Sequence, residues 1–257
     1  MGEESMAAAS TLNDVTIILL GRSGSNYLQR ADGYYRSRIS NVMTVSMDVA
    51  GKPTSRSTAK NWKPALIASL QAVVTPYVVL ASESDFLLFD ALEENIGFLN
   101  THLQYSLSQG YVLGYRPGNG CTGFYKQGAA LVKYSDAQSP RDRISRFTTC
   151  GVEAWRAVVR TQVLLPVAQD LPDELAFEGA MAALSFGLLA EHSAAILPVT
   201  HGLVEYTADA TVADNLDVER ARADAVDLGT HLDEAFGHVA NFRLGRGVLD
   251  GRITLGH

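Results

Sequence analysis

The chain predicts an α/β fold, a mixed but mostly parallel, doubly wound sheet flanked by helices. Three observations carry this. Asp14 to Leu20 (DVTIILL) is an unbroken aliphatic and β-branched run, as a parallel strand covered on both faces requires. It empties into a loop of small residues, Gly21-Arg22-Ser23-Gly24-Ser25-Asn26, that leads into a helix-spaced segment. Strand and helix patterns then alternate, β-α-β-α-β, up to residue 85, which is the layout of a nucleotide-binding half.

Each element follows from local pattern. Tyr27 to Tyr35 places Leu28, Ala31, Tyr34 and Tyr35 at helical spacing, and Asn41 to Val49 (NVMTVSMDV) is a second strand with Asp48 near its end. Asn61 to Val74 is a helix by the spacing of Trp62, Leu66, Leu70 and Val73, and it feeds a strand at Tyr77-Val78-Val79-Leu80. Ala91 to Asn100 is a helix on Leu92, Ile96 and Leu99, and Tyr111-Val112-Leu113 is a short strand. Arg116 to Gly123 reads as a mobile Gly-rich loop, and the polar stretch after it makes 116–148 the expected variable wall of a substrate site. Gly151 to Leu165 mixes two periods and is read as strand over Ala154 to Val159, then helix over Thr161 to Ala168. Pro172-Asp173-Glu174 opens a helix running to Ala190, with proline in the first turn and acids that suit the dipole. Ala194 to Thr200 is the last strand, followed at once by His201.

At 257 residues, with 47% apolar and 19% charged, the chain has enough apolar material for one large core. Residues 1–12 read as a flexible leader, 13–206 as the domain, and 207–257 as a C-terminal helical extension. The extension's amphipathic stretch, Ala213 to Gly237, suits packing on the domain or on a second subunit of a homo-oligomer. The two cysteines, Cys121 and Cys150, have no C-x-x-C spacing, so neither a disulfide framework nor a zinc knuckle is indicated. The N-terminus is acidic where a signal peptide would be basic, and no apolar stretch approaches the ~20 residues of a membrane span. A cytoplasmic setting is the expectation.

The net charge of −7 is unevenly spread. Arg22 to Lys63 holds eight basic residues against Asp32 and Asp48, and Arg116 to Arg160 holds eight against Asp136, Asp142 and Glu153. Cations clustered in an acidic protein point to an anionic ligand if the two segments converge, and a DNA or other polyanionic acceptor is the expectation they raise. A sequence pI near 5.3 weighs against a free-standing DNA binder.

Chemistry concentrates where the strand at Tyr77 stops, at Ala81-Ser82, before Glu83 and Asp85. Acids at the carboxyl end of a strand in an open α/β sheet border the ligand crevice, and an acid-x-acid there can hold Mn²⁺ or Mg²⁺ against a diphosphate. The first loop lacks both the G-x-G-x-x-G spacing and a P-loop lysine, which excludes a Rossmann dinucleotide site, a P-loop and a nucleotidyltransferase signature.

The first strand with its polar loop, Asp48 after the second strand, YVVLASESDF, the late helix DELAFEGAMAALSFG and the closing LPVTHGLVEY together resemble glycosyltransferases of the GT-A fold. They are most similar to small bacterial and phage enzymes of the inverting family-2 type, over residues 13 to 206. The resemblance implies a nucleoside-diphosphate sugar donor, a UDP-sugar first, and a D-x-D acid pair on the metal, replaced here by Glu83-Ser84-Asp85. It implies Asp85 as direct metal ligand with His201 as a further one, Glu83, Asp48 and Arg22 at the nucleotide, and a carboxylate base near the start of the late helix. Asp173, Glu174 and Glu178 compete for that role. Glu174 and Glu178, four apart, share a helix face, and Glu178 is preferred. The acceptor is either a glycan or a hydroxymethylated base in phage-type DNA. The alternative class is a degenerate sugar-nucleotide-binding or scaffold protein.

Overall fold

The computed structural model describes residues 11–47, 62–117, 122–126, 139–140, 142–144, 153–171 and 177–205. Asp48, Asp173, Glu174, most of the expected leader and the C-terminal extension from 207 lie outside the described residues.

The aliphatic run becomes β1 (Val15–Arg22), which lies between β2 (Asn41–Met47) and β3 (Tyr77–Ser82), parallel to both. After β3 come β4 (Asp85–Leu87), β5 (Leu107–Pro117), β6 (Thr122–Lys126), β7 (Val158–Arg160) and β8 (Ala194–Glu205). One sheet holds them in the order β2-β1-β3-β7-β5-β8-β4, with β6 on β5. β5 and β8 are parallel, and the pairings of β7 and β4 are short and antiparallel. The sheet is thus mixed, with its long pairings mostly parallel.

Because β1 is covered on both sides, its alternate residues feed two cores. Ile18 and Leu20 join Trp62, Leu66, Leu164 and Leu184 on one face, the face of α2 (Trp62–Ala72), α4 (Thr161–Gln169) and α5 (Phe177–Glu191). Ile17 and Leu19 join Leu28, Tyr35, Leu92 and Ile96 on the other, with α1 (Asn26–Arg36) and α3 (Phe89–Thr101). The loop after β1 turns at Gly24, whose φ of 72° is open to glycine at little cost, and the Ser25 side chain then caps α1 by accepting from the Tyr27 amide.

The structure departs from the expected elements in three places. Ala154–Arg156 is a 3-10 turn, and strand begins only at Val158. Ala154 and Trp155 are both buried on α5, with the Trp155 amide bonded to Ser185 Oγ at 3.0 Å, so the first apolar residues of this stretch are covered as a turn. β8 runs through His201 to Glu205, making His201 a mid-strand residue. β6 arises where a loop was expected, pairing with a β5 that extends to Pro117, and β4, only three residues long, is a strand the pattern did not predict.

β4 is held from below by a tyrosine. Tyr35 Oη donates to the Asp85 carbonyl at 2.9 Å and accepts the Leu87 amide at 3.1 Å, and its ring is fully buried. Burial pushes this phenol far up, so it stays protonated. Replacing Tyr35 with Phe strands a buried carbonyl and a buried amide, and is expected to cost ~1–3 kcal/mol in urea unfolding at unchanged m-value. Tyr34→Phe, which removes a bond to the Leu87 carbonyl at a half-buried position, should cost less.

Candidate functional site

The end of β3 is where the predicted residues gather. Its neighbours there are β1 on one side and the turn leading into β7 on the other. Glu83 leans toward β1. Its amide donates to the Leu20 carbonyl at 2.8 Å, and its carboxylate accepts from Arg22 twice, from the backbone amide at 3.2 Å and from Nε at 2.9 Å. Gly21 makes this approach possible, since a Cβ there would stand 2.9 Å from both Glu83 Cβ and Glu83 Oε2. Arg22 remains more than half exposed at the rim.

Asp85 turns the opposite way. Its side chain has no exposed surface, and Oδ2 accepts the Ser82 amide at 2.9 Å and Arg156 Nε at 2.9 Å. Arg156, which the sequence reading did not single out, is the hub of this side. Its guanidinium also pairs with Glu153 and lies 4.0 Å from the centre of the Trp155 ring. Asp85 Oδ1 has no partner among the described residues.

His201 reaches the same hub from β8. It is fully buried, with Nε2 2.9 Å from the Arg156 carbonyl and Nδ1 3.5 Å from the Asn95 amide nitrogen. A carbonyl only accepts, so Nε2 carries the proton and Nδ1 faces a donor, which is the neutral tautomer. Burial pushes the imidazole down to about 4. The Arg156 guanidinium acts in the same sense, against the bond to its carbonyl and the charge of Asp85.

These placements test the expected cation. A Mn²⁺ or Mg²⁺ on a diphosphate needs one or two carboxylates with oxygens open to the ion. Here Glu83 and Asp85 diverge across the end of β3, each already holding a guanidinium, and both His201 ring nitrogens face protein groups. Among the described residues no three His, Cys, Asp or Glu side chains are gathered to hold a metal. The described donors therefore do not fit the ion. Of the expected bases, Glu174 and Asp173 are outside the described residues. The backbone of Glu178 lies in the first turn of α5, and its side chain is outside the description.

The two basic segments do not converge as a free cationic surface among the described residues. Arg143 is buried, donating to the carbonyls of Leu189 and Ala190 at 2.7 and 3.0 Å at the end of α5. Arg160 closes the end of α3 through the Leu99 and Tyr105 carbonyls, Lys63 bonds the Leu171 carbonyl, and Arg36 pairs with Asp32. Each spends its charge on the fold. Arg56, Lys60, Arg141 and Arg146 lie outside the described residues. A cleft of about 480 Å³, lined by Tyr34, Leu88, Phe89, Asp90, Glu94 and Thr200 among others, opens beside β4, and none of the predicted site residues lines it.

No family model matches the chain, and no curated protein matches it. Among solved structures, S. aureus TarS 1-349 is similar, with a TM-score of 0.51 at 13% identity over 91% of this chain and 73% of that one. S. aureus TarS matches with a TM-score of 0.49 at 13% identity, over 91% and 44% of the two chains. TarS 1-349 in complex with UDP-GlcNAc matches with 0.48 at 14% identity, over 91% and 74%. The first of these is a likeness of fold.

Two outcomes follow from the geometry. His201 favours the neutral form in the fold, so its folded value of about 4 lies below the ~6.5 of an unfolded histidine. Its contribution to stability is full above pH 6.5 and is lost as pH falls toward 4, on the order of 3 kcal/mol for this group. In urea titrations across that range, His201→Gln should lack this component of the pH slope. Asp85→Asn removes the buried partner of the Arg156 guanidinium, leaving it only the part-exposed Glu153, and should destabilise by up to ~3–5 kcal/mol, whether or not Mn²⁺ is added.

Proposed function

We propose that this chain is a glycosyltransferase that moves a sugar from a nucleoside-diphosphate sugar, a UDP-sugar first, to an acceptor hydroxyl with inversion. The observation that carries it is the carboxyl edge of β1 and β3. There a Gly/Ser loop, an exposed guanidinium at Arg22 and the carboxylate of Glu83 border the crevice in which a doubly wound sheet takes its ligand. The shared fold is that of S. aureus TarS, a glycosyltransferase. Among the described residues no helix is long and apolar enough to cross a membrane.

The chemistry asks for two things. The acceptor oxygen must lose its proton as it attacks the anomeric carbon, and the electron pair of the breaking carbon–oxygen bond must leave with the diphosphate. A carboxylate near the start of the late helix serves as the base, Glu178 ahead of Glu174. Arg22 meets the charge that builds on the leaving group. The acceptor is a hydroxyl of a glycan or of a hydroxymethylated base in DNA, and Arg36, Lys63, Arg143 and Arg160, being tied into the fold, lend the polyanion no added support.

The locking of Glu83 and Asp85 into internal ion pairs favours one second reading, a protein that binds sugar nucleotide without turnover. Release of UDP from a panel of UDP-sugars separates the two. In the catalytic reading, Glu178→Gln lowers turnover by ~10²–10⁴ and leaves UDP-sugar affinity intact. If Glu174→Gln does the damage instead, the base is the acid four residues earlier in the chain. No UDP release by the wild-type chain from any sugar, despite binding, supports the second reading.

A further inference from the structure

Building on that donor-site reading, the geometry leads to a statement about charge. A nucleoside diphosphate brings negative charge to the carboxyl edge of β1 and β3, and something must meet it. The expected answer, a divalent cation at the acid pair with Asp85 as its direct ligand, runs against the strand order. β3 has β1 on one side and the β7 turn on the other, and the two acids turn to opposite neighbours. Neither carboxylate is an open anion. A dication placed on Glu83 would have to expel the guanidinium of Arg22 or sit beside it, two like charges at contact distance. Asp85, wholly buried and paired with Arg156, presents the same conflict.

What the edge does present is Arg22. Glu83 occupies its backbone amide and Nε, and the two terminal nitrogens make no hydrogen bond within the described residues. A guanidinium gripped at Nε keeps its outer N–H pair aligned and outward, the geometry that matches two phosphate oxygens. Gly21 underneath fixes how closely Glu83 can approach, so the grip is built into the end of β1. We infer that the diphosphate is bound without a divalent cation, the Arg22 guanidinium supplying the counter-charge and Glu83 acting as its positioning residue.

The test is calorimetric titration of UDP, GDP and dTDP into the full chain with EDTA, with MnCl₂ and with MgCl₂. The expected result is binding of one nucleoside diphosphate with the same affinity in all three. Arg22→Gln, at an exposed position that leaves folding intact by circular dichroism, should weaken it about tenfold or more. Glu83→Ala should also weaken it, and Glu83→Gln should restore it, since an amide oxygen still accepts from Arg22 Nε. A metal ligand would not be rescued that way. Binding only when Mn²⁺ or Mg²⁺ is present overturns the inference and leaves the donor site standing. Cation-independent binding that survives Arg22→Gln also overturns it. No binding of any of the three under any condition overturns the donor-site reading itself.

Discussion

The ion pair between Arg156 and Asp85 ties together parts of the chain that are far apart in sequence. Asp85 begins β4, Arg156 ends the 3-10 turn before β7, and the Arg156 carbonyl receives the His201 ring from β8. A carboxylate and a guanidinium cut off from water attract each other strongly, but each has lost its hydration, so the arrangement tolerates no missing partner. The groups around the pair close its other hydrogen bonds, apart from that of Asp85 Oδ1, which has no partner among the described residues. Ser82 donates its amide to Asp85, Glu153 takes a second edge of the guanidinium, and the Trp155 ring covers its face.

This anchor decides what the end of β3 can offer a ligand. With Asp85 committed inward, the turn from Ser82 to Asp85 is fixed at one end, and Glu83 is left to face β1. There the short distance to Gly21 brings it onto Arg22. The charge presented at the edge is then a cation steadied by an acid, where the order of residues along the chain had suggested two acids awaiting a cation. His201, neutral and enclosed, adds no charge to this balance.

Much of the fold was legible because burial on both faces leaves a plain mark. β1, β3 and the helices α1 to α3 could be read from apolar runs and helical spacing, and the position of the site followed from where β3 stops. The orientation of the acids was not legible. Two residues apart on an extended chain suggests a common side, and only the turn between β3 and β4, with different neighbours left and right, sends them apart. Arg156 was hidden in a stretch whose apolar residues imitate a strand, so its neighbour Trp155 signalled an element and not a contact. An arginine followed two strands later by a buried histidine has no local signal at all. The cations at 143 and 160 misled for the same reason, since sequence shows a charge but not the helix carbonyls it caps.

Arg143 has a meaning for anyone who would exchange parts of this protein. It belongs to the segment that looks most replaceable, yet it closes the last carbonyls of α5, a 15-residue helix whose opposite end carries Glu178 about 18 Å away. A chimera that imports another version of residues 116–148 without an arginine in this place removes a support from the helix that holds the proposed base. Its silence would report a loosened scaffold, and a change of acceptor specificity could be inferred only from grafts that keep this one side chain.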